Sequence, residues 1–358
     1  MIKNHLLILF ILTLPLSIVY AGNQDSLKLN CYIETYYSVV PYQPANHPEA
    51  PDFLCSYSRN NEVNLNLGFL KLSWNNENVR TNFGLMTGTY ANKNLKDEPS
   101  TLKNIYEANA GISLTSKKNL WIDVGVFQSH IGFESAIGKD CWTLSRSILA
   151  DNSPYYETGI KISKTTNDQK WTLTGLLLNG WQRIQRTEGN TTPCFGHQLI
   201  WKPSVNTTFN SSSFIGNVYP DSARRIRYFH NFYGQTEWGN TGLIIGFDMG
   251  AEQKMKGSTS YQFWYAPVVV LKNKLSDKFS ISARAEYYSD KHHVIISGNK
   301  NLGFQTFGSS INLDIHIHKN AMLRLEGRSF HAKEKIFVSK TSEYKSIFFL
   351  TGSFAFYI

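Results

Sequence analysis

Past residue 21 the chain lacks any apolar run of membrane-helix length, and its mean hydropathy is −0.29. A helix needs about 20 consecutive apolar residues to cross a bilayer, so a helical membrane protein is excluded. A wall of strands is not, because strands with lipid on one side and water on the other dilute the hydropathy. Cysteine is scarce, at Cys31, Cys55, Cys141 and Cys194, and no CxxC pair offers thiolates to a metal. Four cysteines allow three pairings; sequence proximity favours Cys31 with Cys55 and Cys141 with Cys194, and free buried thiols fit equally well. No GxSxG elbow is present. The basic residues form no concentrated patch, which leaves nucleic acid without a docking site. No internal repeat, low-complexity run or linker divides the chain, and Pro41–Pro51 is placed in a first outside loop rather than between domains.

The N-terminus has the three parts of an export signal. Lys3 and His5 make a short polar region, Leu6 to Val19 an apolar one, and Val19-Tyr20-Ala21 a small-residue cleavage site. Residues 1–21 are therefore expected to be a signal peptide and 22–358 the mature domain. That domain carries 35 Lys and Arg against 27 Asp and Glu, a net +8 once Lys3 is removed.

Aromatic residues are plentiful, with 19 Tyr and 22 Phe, and suit strands. Their spacing decides the class. Leu27, Leu29, Cys31, Ile33, Thr35, Tyr37 and Val39 alternate with Lys28, Asn30, Tyr32, Glu34, Tyr36 and Ser38, a period of two. The pattern recurs at 62–74, 78–90, 104–115, 119–127, 155–164, 170–181, 195–203, 206–217, 227–238, 241–252, 260–272, 278–289, 303–317, 321–332 and 346–358. At Phe69-Leu70 the apolar phase slips, as a bulge would make it do. Connections alternate short and long, and the strands run to about ten residues, the length of a tilted bilayer crossing. The expected fold is all-β, a transmembrane antiparallel up-and-down barrel of about 16 strands, with 14 or 18 also compatible. SIFFLTGSFAFYI, residues 346–358, would close it against 27–39. Trp74, Trp121, Trp171, Trp201 and Trp238 all lie beside short turns, as a belt at one membrane interface would.

With the apolar faces toward lipid, Arg80, Arg284, Glu286, Asp314, Arg324, Glu326 and Arg328 point into the lumen as candidate pore-lining residues. Residues 128–154 form the longest interruption and are too apolar for a loop in water. Folded inward, they would narrow the pore and set Glu134, Lys139, Asp140 and Arg146 against the wall arginines; a cap over the mouth or a subunit contact are the alternatives. His130 and Glu134 with Ser129 and Ser135 invite a hydrolase reading, and Asp314, His316 and His318 alternate as metal ligands could. For the first no catalytic motif is present, and for the second hydrated lumen residues are the simpler reading, so neither metal nor cofactor is expected. Arg224, Arg225 and Arg227 could meet lipopolysaccharide phosphates at the outer rim.

Asn119 to Gly159, NLWIDVGVFQSHIGFESAIGKDCWTLSRSILADNSPYYETG, resembles the central stretch of the Bacteroidetes β-barrel porins of the OmpL-like type. NEVNLNLGFLKLSW (61–74), GTYANKN (88–94), NIYEANAGI (104–112), NGWQRIQR (179–186), RYFHNFYG (227–234) and ARAEYYSD (283–290) resemble other parts of it, so the likeness spans nearly the whole mature chain. The resemblance implies an outer-membrane porin and transfers no pore residues; Ile358 stands where many such barrels end in Phe. The expected function is passive diffusion of small hydrophilic solutes, with a slight anion preference and, by analogy with sixteen-stranded porins, a homotrimer. The alternatives are a non-conducting surface barrel, adhesin or anchor, and, further off, a barrel hydrolase.

Overall fold

The computed structural model describes residues 26–41, 49–99, 101–298, 302–338 and 342–358. The expected signal peptide lies outside the described residues. The strands are β1 Ser26–Val39, β2 Val63–Asn75, β3 Val79–Thr87, β4 Ile105–Ser113, β5 Leu120–Gln128, β6 Tyr156–Thr165, β7 Trp171–Leu178, β8 Cys194–Ser204 and β9 Thr207–Asn217. They continue as β10 Ile226–Trp238, β11 Thr241–Gln253, β12 Tyr261–Lys274, β13 Phe279–Asp290, β14 Phe304–His318, β15 Ala321–Ala332, the short β16 Phe337–Val338 and β17 Glu343–Tyr344, and β18 Ser346–Tyr357. Two short helices, α1 Thr89–Asn94 and α2 Ile148–Asp151, sit in the long connections.

Sixteen of these strands, β1 to β15 and β18, form one closed barrel, while β16 and β17 pair as a separate hairpin. Every barrel pairing is antiparallel, and β18 closes on β1 from Tyr32↔Tyr357 to Val39↔Leu350. Closure leaves no edge whose amides would face hydrocarbon unpaired. Period-two patterning does the sorting: in β1, Tyr32, Glu34, Tyr36 and Ser38 are buried inside while Leu29, Ile33 and Tyr37 are exposed on the outer face.

The expected boundaries differ from the strands in particular places. The strand expected over 78–90 ends at Thr87, where Gly88 takes a positive φ and α1 begins. The one expected over 170–181 ends at Leu178. The bulge is not at Phe69-Leu70; β2 slips against β1 between Glu34↔Leu67 and Thr35↔Leu65, leaving Asn66 over. A second slip, between Gly84↔Glu107 and Leu85↔Ile105, leaves Tyr106 over in β4. Each bulge therefore turns two successive residues inward, Asn66 with Leu67 and Tyr106 with Glu107, all four buried. The insertions have work there: Asn66 Nδ2 donates to Glu34 at 2.9 Å, and the Tyr106 ring stacks on Phe69 at 4.5 Å between centroids.

Trp74, Trp171, Trp201 and Trp238 share the outward parity of their strands at the short-turn end, as a belt requires. Trp121 does not: it has the parity of buried Asp123, and Arg80 stands over its ring at 4.4 Å inside the lumen. All four cysteines are free thiols, with Cys55 donating to the Asp151 carbonyl, Cys141 to that of Ser135 and Cys194 to that of Asn217.

Ile311, 63% exposed in the middle of β14, tests which face meets lipid. Ile311→Arg should lower folding stability by about 2–4 kcal/mol, while Asn82→Arg, on the inner face, should change it little; denaturant titration in liposomes measures both.

Candidate functional site inside the barrel

Residues 128–154 leave the outer end of β5 and descend into the barrel. His130 fixes the entry. Its Nδ1 lies 2.7 Å from Glu157 on β6 and its Nε2 2.8 Å from the Ser213 carbonyl on β9. Both partners can accept, which suits a ring protonated on both nitrogens. Burial opposes that charge, but the Glu157 carboxylate and the Ser213 carbonyl outweigh it and lift the pKa above the usual histidine value. A ring committed in this way cannot act as a hydrolytic base, and Ser129 and Ser135 instead accept the amides of Ile131 and Ile137 as turn caps.

The segment then crosses β10 to β12, where the Gly132 amide meets Asn231 and Phe133 packs against Tyr233 and Gly246. It reaches β13 to β15, whose charges take up its backbone. Arg324 is paired with Asp314 at 2.6 Å and donates to the carbonyls of Gly138 at 2.6 Å and Cys141 at 3.0 Å. Arg284 donates to the Ser145 carbonyl at 2.6 Å and to Thr143 at 2.9 Å, and lies 3.2 Å from Glu326. Glu326 accepts the Ser145 amide, Glu286 the Ile148 amide and Asn312 the Leu144 amide. Arg328 joins Glu286 at 2.7 Å and the Ser145 hydroxyl at 3.1 Å. Gly138 can approach the wall this closely because a Cβ there would fall 2.5 Å from Glu34 Oε1. At its lowest point the segment sets Lys139 over the Tyr357 ring at 5.1 Å and Trp142 against Gly242, both beside short turns.

This geometry separates the sequence candidates. Arg284, Glu286, Asp314, Arg324, Glu326 and Arg328 all point inward, but each is at most 4% exposed: they lie beneath the segment and do not line free lumen. Arg146 does not face the wall either. Its guanidinium donates to the carbonyls of Ser135, Leu144 and Ala136, stapling the segment to itself. Glu134 lies 3.9 Å from Arg284 and accepts the Ser147 amide, and burial raises its pKa against the pull of Arg284. Lys139 and Asp140 pair with each other and keep 31% and 44% of their side chains exposed. Arg80, partly exposed, is bound to Asp123 at 2.6 Å. Asp314 is spent on Arg324, and a register shift between His316 and His318 breaks their alternation. Among the described residues no cluster of three ligands suits a metal. Arg227 is buried against Glu252 between Trp181 and Trp264, not at the rim; Arg224 is exposed there.

The water-accessible part of the lumen lies opposite, along β2 to β6. Lys71, Asn82, Asn109 and Lys161 point into it and are partly exposed. Lys71 pairs with Glu107 at 2.5 Å. Lys161 stands over the Phe127 ring at 4.6 Å and makes no ion pair among the described residues. Sequence reasoning passed over these four, although parity within the expected strands could have found Asn82 and Lys161; the bulges in β2 and β4 hid the parity of the other two.

Where the segment returns to the outer rim, Asp151 is buried against Ser56 and Tyr155. Burial pushes its pKa up to about 7, against the pull of Arg328 and Arg146. A folded-state pKa above the ordinary 3.8 favours the packed junction below that value and weakens it as pH rises through 7. The protection factors over 49–60 and 148–153, the intrinsic exchange rate divided by the observed one at each pH, should therefore fall between about pH 5 and about pH 8, and Asp151→Asn should remove that fall.

Residues 26–358 match the family model described as "Putative beta-barrel porin-2, OmpL-like". No match is found among curated proteins. Solved structures of similar fold include an anion-selective porin from Comamonas acidovorans, 8% identical, with a TM-score of 0.62 over 94% of this chain and 100% of that one. The trimer form of OmpT, an outer membrane protein of Vibrio cholerae folded in vitro, is 9% identical, with 0.60 over 94% and 100%. The outer membrane channel DcaP of Acinetobacter baumannii is 9% identical, with 0.58 over 94% and 99%.

Proposed function

The chain belongs to the OmpL-like β-barrel porin-2 family, and from that premise we propose that this outer-membrane porin passes small hydrophilic solutes along a water path between residues 128–154 and the wall of β2 to β6. The observation that carries the reading is the one-sided anchoring of the segment. Its backbone is bound to Arg284, Arg324, Glu286 and Glu326, while Lys71, Asn82, Asn109 and Lys161 across the lumen stay partly exposed. The segment thus narrows the lumen from one side.

Among the bases of that open wall, Lys71 and Arg80 are in contact with carboxylates, whereas Lys161 is unmatched by direct contact among the described residues and feels Asp123, Glu107 and Glu157 only at longer range. An unmatched ammonium in a narrow water-filled passage favours anions, in keeping with the anion-selective porin that shares the fold. Arg224, exposed in the outside loop before β10, is suited to a lipopolysaccharide phosphate. A homotrimer is the assembly adopted, as in the trimer form of OmpT.

The depth to which the segment descends, as far as Tyr357 and Gly242, favours a second reading, a plugged and non-conducting barrel. Planar-bilayer recording separates the two. Open steps from folded protein are expected, and folded protein that gives none would refute the porin reading. Deleting residues 131–149 should enlarge the steps, and an unchanged conductance would place the narrowing elsewhere. In a salt gradient the wild type should show a reversal potential on the anion side, and Lys161→Glu should move it toward cations.

A further inference from the structure

A cavity of about 460 Å³ lies at the long-connection end of the barrel, over the first residues of β14 and β18. None of its lining residues belongs to the open wall of β2 to β6. Three connections enclose it: residues 49–60 after β1, residues 293–298 and 302–303 after β13, and the β16–β17 hairpin between β15 and β18. Each is held in place. The Tyr57 hydroxyl donates to Glu34 at 2.9 Å and the Tyr57 amide to Asn66 at 3.0 Å, which pins the first to the barrel wall. In the second, the Asp290 carboxylate accepts the amides of Val294, Ile295 and Ile296 at 2.9, 2.7 and 3.0 Å. In the third, Phe337 pairs with Tyr344 across the hairpin. The hollow is therefore preformed, and its volume suits a small organic molecule.

Its lining says what kind. Phe53, Phe304, Phe337 and Phe349 contribute aromatic surface, with Phe53 meeting Phe304 near edge-on at 5.0 Å and Phe337 tilted at 6.4 Å. One polar group of the same lining is left unanswered by the fold. Asn60 is 3% exposed, and its Oδ1 has no hydrogen-bond partner among the described residues. A buried amide oxygen without a donor is costly, and such atoms are nearly always paired. A molecule that fills the cavity and brings a donor removes that cost. Charge selects nothing here: Glu49, Asp52 and Glu343 at the rim stand beside Lys335, and Glu49 and Asp52 are both held by Lys93, at 3.0 and 3.4 Å.

We propose that this cavity is a binding site for an uncharged, planar aromatic molecule of about two or three rings that carries a hydroxyl or N–H group. Its rings pack on Phe53, Phe304, Phe337 and Phe349, extending the edge-to-face contacts already present, which an aliphatic chain could not do. Its donor goes to Asn60 Oδ1. The site is separate from the water path, and the proposal does not depend on whether the barrel conducts.

The probe is 2-naphthol, uncharged at neutral pH, and its control is 2-methoxynaphthalene, which has the same rings and no donor. Equilibrium dialysis of the protein in nanodiscs, corrected with empty nanodiscs, should show one saturable 2-naphthol site per chain and weaker binding of the ether. Asn60→Leu, close in volume but without the oxygen, should weaken 2-naphthol about tenfold and leave the ether nearly unchanged. Ile347→Trp, which fills the cavity from β18, should abolish binding of both; heat-modifiable migration checks that it is folded. The proposal is overturned by 2-naphthol that shows no saturable binding above empty nanodiscs, by an Asn60→Leu protein that loses both probes equally or neither, or by a folded Ile347→Trp that binds as the wild type does. If Ile347→Trp does not fold, the Asn60→Leu comparison decides. Planar-bilayer recording of the same protein keeps the site apart from the porin reading: binding by a barrel without open steps supports the site alone, and open steps without binding support the channel alone.

Discussion

A polypeptide can lie inside a barrel only if the wall supplies what water would have given its backbone. Here that supply is the set of charges on β13 to β15. Arg324 and Arg284 donate to carbonyls of the segment, Glu286 and Glu326 accept its amides, and the same residues pair with one another or with Asp314 and Arg328. Removing one member of such a buried set strands the others and costs about 3–5 kcal/mol. The course of residues 128–154, the packing of the first outside loop upon them and the shape of the remaining lumen all depend on this arrangement.

It also makes the inside of the barrel asymmetric. One arc of wall is spent on anchoring and is dry. The opposite arc keeps Lys71, Arg80, Asn82, Asn109 and Lys161 in contact with water. The two bulges lie on the open arc, where they turn extra residues inward and brace the wall with the Phe69–Tyr106 stack and the Asn66–Glu34 hydrogen bond.

Much of the fold was legible because barrel strands obey a local rule. Side chains alternate between two solvents, so Leu29, Ile33 and Tyr37 declare one face of β1 and Glu34 and Ser38 the other without reference to anything distant. Trp74, Trp171, Trp201 and Trp238 could be placed for the same reason. The rule failed at the bulges and at Trp121, whose ring turns into the lumen to meet Arg80. The apolar content of residues 128–154 pointed to packing inside the barrel. What it could not convey was that Arg146 would be consumed by its own segment, or that six wall charges would be covered rather than bathed.

The sequence by itself determined the order of the strands, most of their faces, the closed sheet and the family, because period, turn length and aromatic placement are properties of neighbouring residues. Only the tertiary structure decided which charges are dry and which are wet. That distinction rests on contacts such as Arg324 with Gly138, 186 residues apart in sequence, and hydrogen bonds over that separation leave no periodic trace in the chain.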